Sequence, residues 1–185
     1  MAEAADHLLM QQFFAARGLV AERIPEMTTK TPDFRILRGA EVVAYCEVKS
    51  PRDVFAERVE DAIREGKGGI IETGYGNDYR QGRCISRAAA KAAAQFEAIN
   101  PAHLVPNILL IVNYDTFCLE DDFTQVITGE LGSVGRVGKP LRDDIPAIDV
   151  YVWMDTKNNV IENVHRLFRH ENRLKETARD LLQLG

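Results

Sequence analysis

Apolar positions along the chain recur with two different periods, and these set out the elements. Ala5, Leu9, Phe13 and Ala16 recur at helical spacing, so the pattern predicts a helix from about Ala4 to Arg17, with Gly18 as its C′ residue. Three short apolar runs follow, each bounded by turn residues. Leu19 to Ile24 is stopped by Pro25, and Thr28 to Thr31 is a polar loop. Asp33 to Leu37 and Val42 to Lys49 are joined by Arg38-Gly39-Ala40-Glu41. Runs of this length and spacing predict an antiparallel three-stranded meander directly after the helix.

Farther along, Asp53 to Glu65 reads as a short helix and GKGGIIETGYGND as a glycine-rich loop. Ile85, Ala88, Ala92, Phe96 and Ile99 form the apolar face of a helix from Cys84 to Ile99, which Pro101 stops. Asn107 to Asp115 is a continuous apolar run, as expected of a strand buried on both faces. A short helix is expected around Glu120 to Glu130, then a Gly/Pro loop through GSVGRVGKPLRDDIP. Ile148 to Met154 and Val160 to Phe168 pattern as a hairpin around Asp155 to Asn159, and Asn172 to Leu184 as a last helix. The order predicts an α/β fold: one domain with a mixed central sheet flanked by helices, a core over about 4–115 and additions over 116–185.

Composition narrows the function classes. The 185 residues are 45% hydrophobic and 28% charged, the balance of a globular domain with a full core. No apolar run is long enough to span a membrane, and MAEAADHLLMQQ is acidic where a secretory leader is basic, so a cytoplasmic location is expected. Cys46, Cys84 and Cys118 form no CxxC pair, which leaves zinc ribbons and dithiol chemistry unsupported. A net charge of −5 argues against coating nucleic acid over the whole surface. It is compatible with a local basic cleft and with carboxylates gathered round a cation.

The chemistry concentrates in TPDFRILRGAEVVAYCEVKSPRD. Side chains alternate faces along a strand. Val42, Ala44, Cys46 and Val48 make one small apolar face for the core, leaving Val43, Tyr45, Glu47 and Lys49 on the other. If the two runs pair through the Arg38–Glu41 connection, Asp33 on the preceding strand can approach Glu47. Two carboxylates at close range repel unless a cation lies between them, and oxygen ligands on few residues suit Mg²⁺. The plain alternative keeps Asp33 as a turn or cap residue and Glu47–Lys49 as a surface pair on a half-exposed strand.

Pro32-Asp33 followed by Glu47-Val48-Lys49, with the carboxylates fourteen positions apart, resembles the PD-(D/E)xK nuclease superfamily. The order helix, three-strand meander, helix, strand over Ala4 to Asp115 is similar to that family's restriction-endonuclease-like core. The resemblance implies a metal-dependent phosphodiesterase acting on nucleic acid, DNA before RNA, with Mg²⁺ as cofactor and Mn²⁺ as a substitute. Asp33, Glu47 and the Val48 carbonyl would hold the metal, and Lys49 would position or activate the attacking water. Family members often add an acid from the first helix; Asp6 is the first candidate here and Glu3 the second, although either also suits the positive end of a helix. Polar residues on the helix after the third strand are often used too. Arg87, Lys91 and Gln95 form a stripe there, preceded by Arg80 and Arg83, and Lys91 and Gln95 flank the apolar seam. A solvated helix face explains the same stripe.

Other motifs fail. Lys139 is followed by Pro140, so GELGSVGRVGKP is no P-loop; the glycine pairs complete no GxGxxG, and His7, His103, His165 and His170 show no paired metal spacing. HRLFRHENR, with Arg166, Arg169 and Arg173, is a basic stretch that suits a nucleic-acid contact or a solvated edge. The second expectation is a non-catalytic binding or assembly module on the same fold, and the third an enzyme for a small phosphorylated substrate. A homodimer is compatible with either of the first two.

Overall fold

The computed structural model describes residues 2–25, 31–50, 64–66, 78–114, 119–131, 135–136, 141–157, 160–169 and 174–183, with backbone alone for 2–4, 78–83, 131 and 135–136. Five helices and eight strands lie in these segments. In chain order they are α1 (Ala2–Ala15), β1 (Val20–Arg23), β2 (Phe34–Arg38), β3 (Glu41–Lys49), α2 (Asp78–Ile99) and β4 (Asn107–Asn113). They continue with α3 (Glu120–Thr128), β5 (Glu130–Leu131), β6 (Gly135–Arg136), α4 (Leu141–Asp144), β7 (Val150–Lys157), β8 (Val160–Phe168) and α5 (Lys175–Leu182).

Six strands form one mixed sheet in the order β1-β2-β3-β4-β7-β8, and β5 pairs separately with β6. The meander is antiparallel, with Phe34 opposite Cys46 and Ile36 opposite Ala44. β3, β4 and β7 run parallel, which needs the two helical crossovers through α2 and α3. The closing hairpin belongs to this same sheet. An α/β architecture with a mixed sheet between helices is therefore present.

Both faces of the sheet are covered. Leu9, Met10, Phe13 and Phe14 of α1 and Ala178, Leu181 and Leu182 of α5 pack on Ile36, Cys46, Val48, Leu110 and Val152. Ile85, Ala89, Ala92 and Phe96 of α2 and Phe123 and Ile127 of α3 pack on Leu109, Ile111, Tyr151 and Trp153. All seven residues of β4 are buried, as its unbroken apolar run requires. Ala44, Cys46 and Val48 of the even face of β3 go to the core, but a register shift between Ile36 and Leu37 leaves Val43 as the extra residue, so Val43 rather than Val42 packs against the same cluster; the odd face is covered too, because Tyr45 packs against the second cluster.

Several boundaries differ from the sequence pattern. The α1 face is rotated: Asp6, Leu9, Met10, Phe13 and Phe14 are buried, while Ala16 is exposed, since the large side chains outweigh alanines in choosing the inward side. The helix stops at Ala15, and Gly18 takes the C′ role at φ +69, with the Leu19 amide closing on the Phe14 carbonyl at 3.1 Å. α2 begins six residues before Cys84, in the polar run DYRQGR that offers no apolar period. Part of the expected Gly/Pro loop is ordered as β6 and the single turn α4. β7 starts at Val150 and runs on to Lys157, past the expected end at Met154. The helix expected over Asp53–Glu65 lies outside the described residues except for its end, and so does nearly all of the glycine-rich loop that follows.

α3 shows how a helix starts without a good N-cap residue. Leu119 has no side-chain acceptor, so the Asp122 carboxylate reaches back to accept the Leu119 amide at 2.9 Å. Glu120, Asp121 and Asp122 place negative charge in the first turn, and Gly129 closes the helix at φ +71.

Candidate active site

The meander brings the opening charges together. Asp33 precedes β2 by one residue and faces Glu47 near the end of β3. The Asp33 amide donates to Glu47 Oε2 at 2.9 Å, and Asp33 Oδ2 accepts the Val48 amide at 2.9 Å. Each carboxylate is thus held by the backbone of the other strand. Lys49, two residues on and on the same face, donates from Nζ to Glu47 Oε1. Asp33 Oδ1 takes no hydrogen bond from the described residues.

Burial decides the electrostatics. The Glu47 side chain is 0% exposed, whereas Lys49 keeps 30% of its side-chain surface. Burial, then the nearby charge of Asp33, pushes the Glu47 carboxyl up to about 7; Lys49 and the Asp33 amide pull the other way without cancelling those effects. The same causes raise the buried Cys46 thiol well above its usual range, which leaves it an inert core group. A surface Glu47–Lys49 pair, the plain alternative from sequence, does not match a carboxylate shut off from solvent.

The backbone supports one more donor. N–H and C=O of one strand residue point to the same side, so the Val48 carbonyl faces the β2 side as its amide does. Asp33, Glu47 and this carbonyl therefore form an oxygen-rich corner where β2 and β3 separate.

Asp6 is placed differently. It is 4% exposed on the inward face of α1, and its two oxygens are taken by hydroxyls: Oδ1 accepts from Tyr114 at 2.6 Å and Oδ2 from Ser50 at 2.6 Å. It ties α1 to the residue after Lys49 and to the residue after β4. Among the described residues no group of three or more His, Cys, Asp or Glu side chains forms a metal cluster, so Asp6 is not gathered with Asp33 and Glu47 into one. The Glu3 side chain lies outside the described residues.

On α2, Gln95 Nε2 donates to the Thr31 carbonyl at 2.7 Å, fixing the approach to Asp33. Lys91 is exposed one turn earlier and makes no hydrogen bond or ion pair with the carboxylates. Arg87 is exposed as well, and the side chains of Arg80 and Arg83 are outside the described residues.

Sequence reading missed three partners. Ser50 reads as a strand breaker beside Pro51, Tyr114 as the tail of an apolar run, and Thr31 as loop; none carries a local signal of the group it contacts. It also missed a polar row on the same sheet face two strands away, where Asp155 Oδ1 accepts from Asn113 Nδ2 and Trp153 Nε1, both at 2.8 Å. Carboxyl ends of parallel strands are where open α/β sheets place ligands.

No helix among the described residues is long and apolar enough to cross a membrane. No family model, curated protein or solved structure matches the chain.

Proposed function

We propose that this chain is a metal-dependent phosphodiesterase that hydrolyses nucleic acid, DNA before RNA, with a restriction-endonuclease-like core of the PD-(D/E)xK kind. The observation that carries the reading is the interlock of Asp33 with Glu47 under Lys49: two carboxylates and an amine at one strand end, one of the acids fully buried and held near 7. A structural acid gains nothing from being buried beside another acid, and perturbed carboxyls of this kind gather at functional sites.

The residues present fit a hard divalent cation. Asp33 offers an oxygen without a hydrogen bond from the described residues, Glu47 is short of positive charge even with Lys49 beside it, and the Val48 carbonyl faces the same corner. A few oxygen ligands suit Mg²⁺, with Mn²⁺ as substitute. When bound there the ion supplies charge for the scissile phosphate and acidifies an attacking water. Asp33 and Glu47 bind and stay fixed through each other's backbone. Lys49 holds its ammonium against Glu47 Oε1, where it offsets charge and can orient the water. Gln95 steadies the Thr31 carbonyl ahead of Asp33.

The test is cleavage of single-stranded, duplex and branched DNA and of RNA, with Mg²⁺, Mn²⁺ or chelator, beside Glu47→Ala and Lys49→Ala. Metal-dependent cutting that both variants lose supports the proposal. No cutting of any substrate with either metal leaves the same fold as a binding or assembly module. Equal cutting by variants and wild type removes the catalytic roles.

A further inference from the structure

The six-stranded sheet ends at β8, and among the described residues no strand pairs with its outer side. The strand has nine residues. At about 3.3 Å per residue they make roughly 30 Å of open edge, a length that proteins usually pair, cover or interrupt. β8 is interrupted once. Asp155 and Thr156 of β7 are neighbours, yet their partners are Asn163 and Ile161, so Glu162 is the extra residue of a bulge. A bulged residue has no place in the ladder, and Glu162 is exposed.

The edge carries unmatched groups of three kinds. Among the described residues the Glu162 carboxylate makes no hydrogen bond or ion pair. Arg166, four positions on, is half-buried, its Nε has no hydrogen-bond partner, and no carboxylate of the described residues pairs with it. Val160 is 62% exposed, and Val164, Leu167 and Phe168 are only partly buried against the two core clusters. A strand with a free acid, a free guanidinium and exposed apolar side chains is suited to a partner strand bearing the same three in reverse order.

We propose that β8 pairs antiparallel with the β8 of a second copy of this chain, joining the two sheets into one. A two-fold axis at Val164 sets that residue against its own counterpart and Asn163 against His165. The bulge then brings Ile161 and Glu162 together opposite Arg166, and Val160 opposite Leu167; each contact occurs twice. The faces agree across the axis. Ile161, Val164 and Arg166 lie on the α1/α5 side, and Val160 and Leu167, opposite Lys157 and Tyr151, on the α2/α3 side. An axis at Arg166 would put two guanidiniums together, and one at His165 would oppose two imidazoles and leave Arg166 against Val164. Opposite charges across strands attract and like charges repel, so charge selects the Val164 register. Main-chain hydrogen bonds supply the rest, as in other strand additions. One strand makes a small interface, so the dimer forms reversibly at micromolar concentrations.

The test is sedimentation velocity of the full chain across the micromolar range, beside Glu162→Arg, Arg166→Glu and an equimolar mixture of the two variants. Wild type is expected to pass from monomer to dimer mass as concentration rises. Each single reversal sets like charges opposite one another twice and should weaken association by about 10-fold or more. The mixture should regain it, because in a mixed dimer every reversed charge meets an opposite one, a recovery that misfolding cannot produce. A wild type that stays monomeric throughout overturns the proposal. So does a dimer that both reversals leave intact, or a loss that mixing does not restore. Glu162 and Val160 are exposed, so Glu162→Arg and Val160→Lys decide the matter where Arg166→Glu does not fold. Association as tight as wild type in both rejects β8 as the interface, and weakening in both supports it. Glu47 lies three strands in from β8, and the readout needs neither cleavage nor a divalent cation, so a failed nuclease assay leaves this test intact.

Discussion

The Asp33 amide donates to the Glu47 carboxylate, while the Asp33 carboxylate accepts the amide of the residue after Glu47, both at 2.9 Å. The two acids are therefore locked to one another through the backbones of β2 and β3, and neither can turn away to relieve the repulsion. That fixed closeness, more than the presence of two acids, makes this strand end a candidate for cation-assisted chemistry. Glu47→Gln keeps the shape and removes the charge. It is expected to lower metal-dependent cleavage by about 100-fold or more while leaving the circular dichroism spectrum and cooperative unfolding of wild type. Cleavage within a few-fold of wild type would remove Glu47 from the mechanism.

The sign of the pH effect follows from the direction of the shift. Folding raises the Glu47 carboxyl from 4.5 to about 7, so the folded chain binds that proton more tightly than the unfolded chain. This group's contribution to stability is fully present below about 4.5 and is lost as pH rises through about 7. A shift of this size corresponds to a few kcal/mol. In chelator, the stability of Glu47→Gln relative to wild type is expected to increase from pH 5 to pH 8, as read from urea unfolding at each pH. Mg²⁺ binding should release about half a proton near pH 7 and close to one near pH 6, measurable by titration calorimetry in buffers of different ionisation enthalpy. A flat difference between the proteins across that range would show that Glu47 is not the shifted group.

The meander and the approach of Asp33 to Glu47 were legible because period-two alternation and a short turn fix which residues face each other. The buried state of Glu47 was not legible. Its odd-numbered neighbours Val43 and Tyr45 read as a half-exposed face, and only the crossover through α2 puts a helix over it. Asp6 reads equally well as a helix-end acid, a ligand or a tether, and Tyr114 decides between them from 108 positions away. The early start of α2 was hidden for another reason: a helix that is polar all round in its first turns carries no apolar period.

Asp6 holds two hydroxyls in a buried setting, so the expected role is mechanical. Asp6→Ala strands the Ser50 and Tyr114 hydroxyls and should destabilise the fold by about 2–3 kcal/mol, whereas Tyr114→Phe removes one donor and should cost about 1 kcal/mol. Asp6→Asn keeps a hydrogen-bonding group and should retain cleavage with unchanged Mg²⁺ dependence. A large rise in the Mg²⁺ concentration needed by Asp6→Asn, at wild-type stability, would instead make Asp6 a metal ligand.

Gln95 and Lys91 lie one turn apart on α2 and are expected to behave differently. Gln95 holds the Thr31 carbonyl at 2.7 Å, two residues before Asp33, so Gln95→Ala loosens the backbone that positions one carboxylate. Its effect should fall on kcat, by roughly 10-fold, because a small displacement of a catalytic acid costs rate more than binding. Lys91 is exposed and touches neither acid, so any part it plays is a phosphate contact along the helix. Lys91→Ala should raise KM a few-fold, leave kcat unchanged and reduce the salt dependence of DNA binding by about one ion. Steady-state cleavage at several salt concentrations measures both. If Gln95→Ala changes only KM, or Lys91→Ala only kcat, the two roles are misassigned.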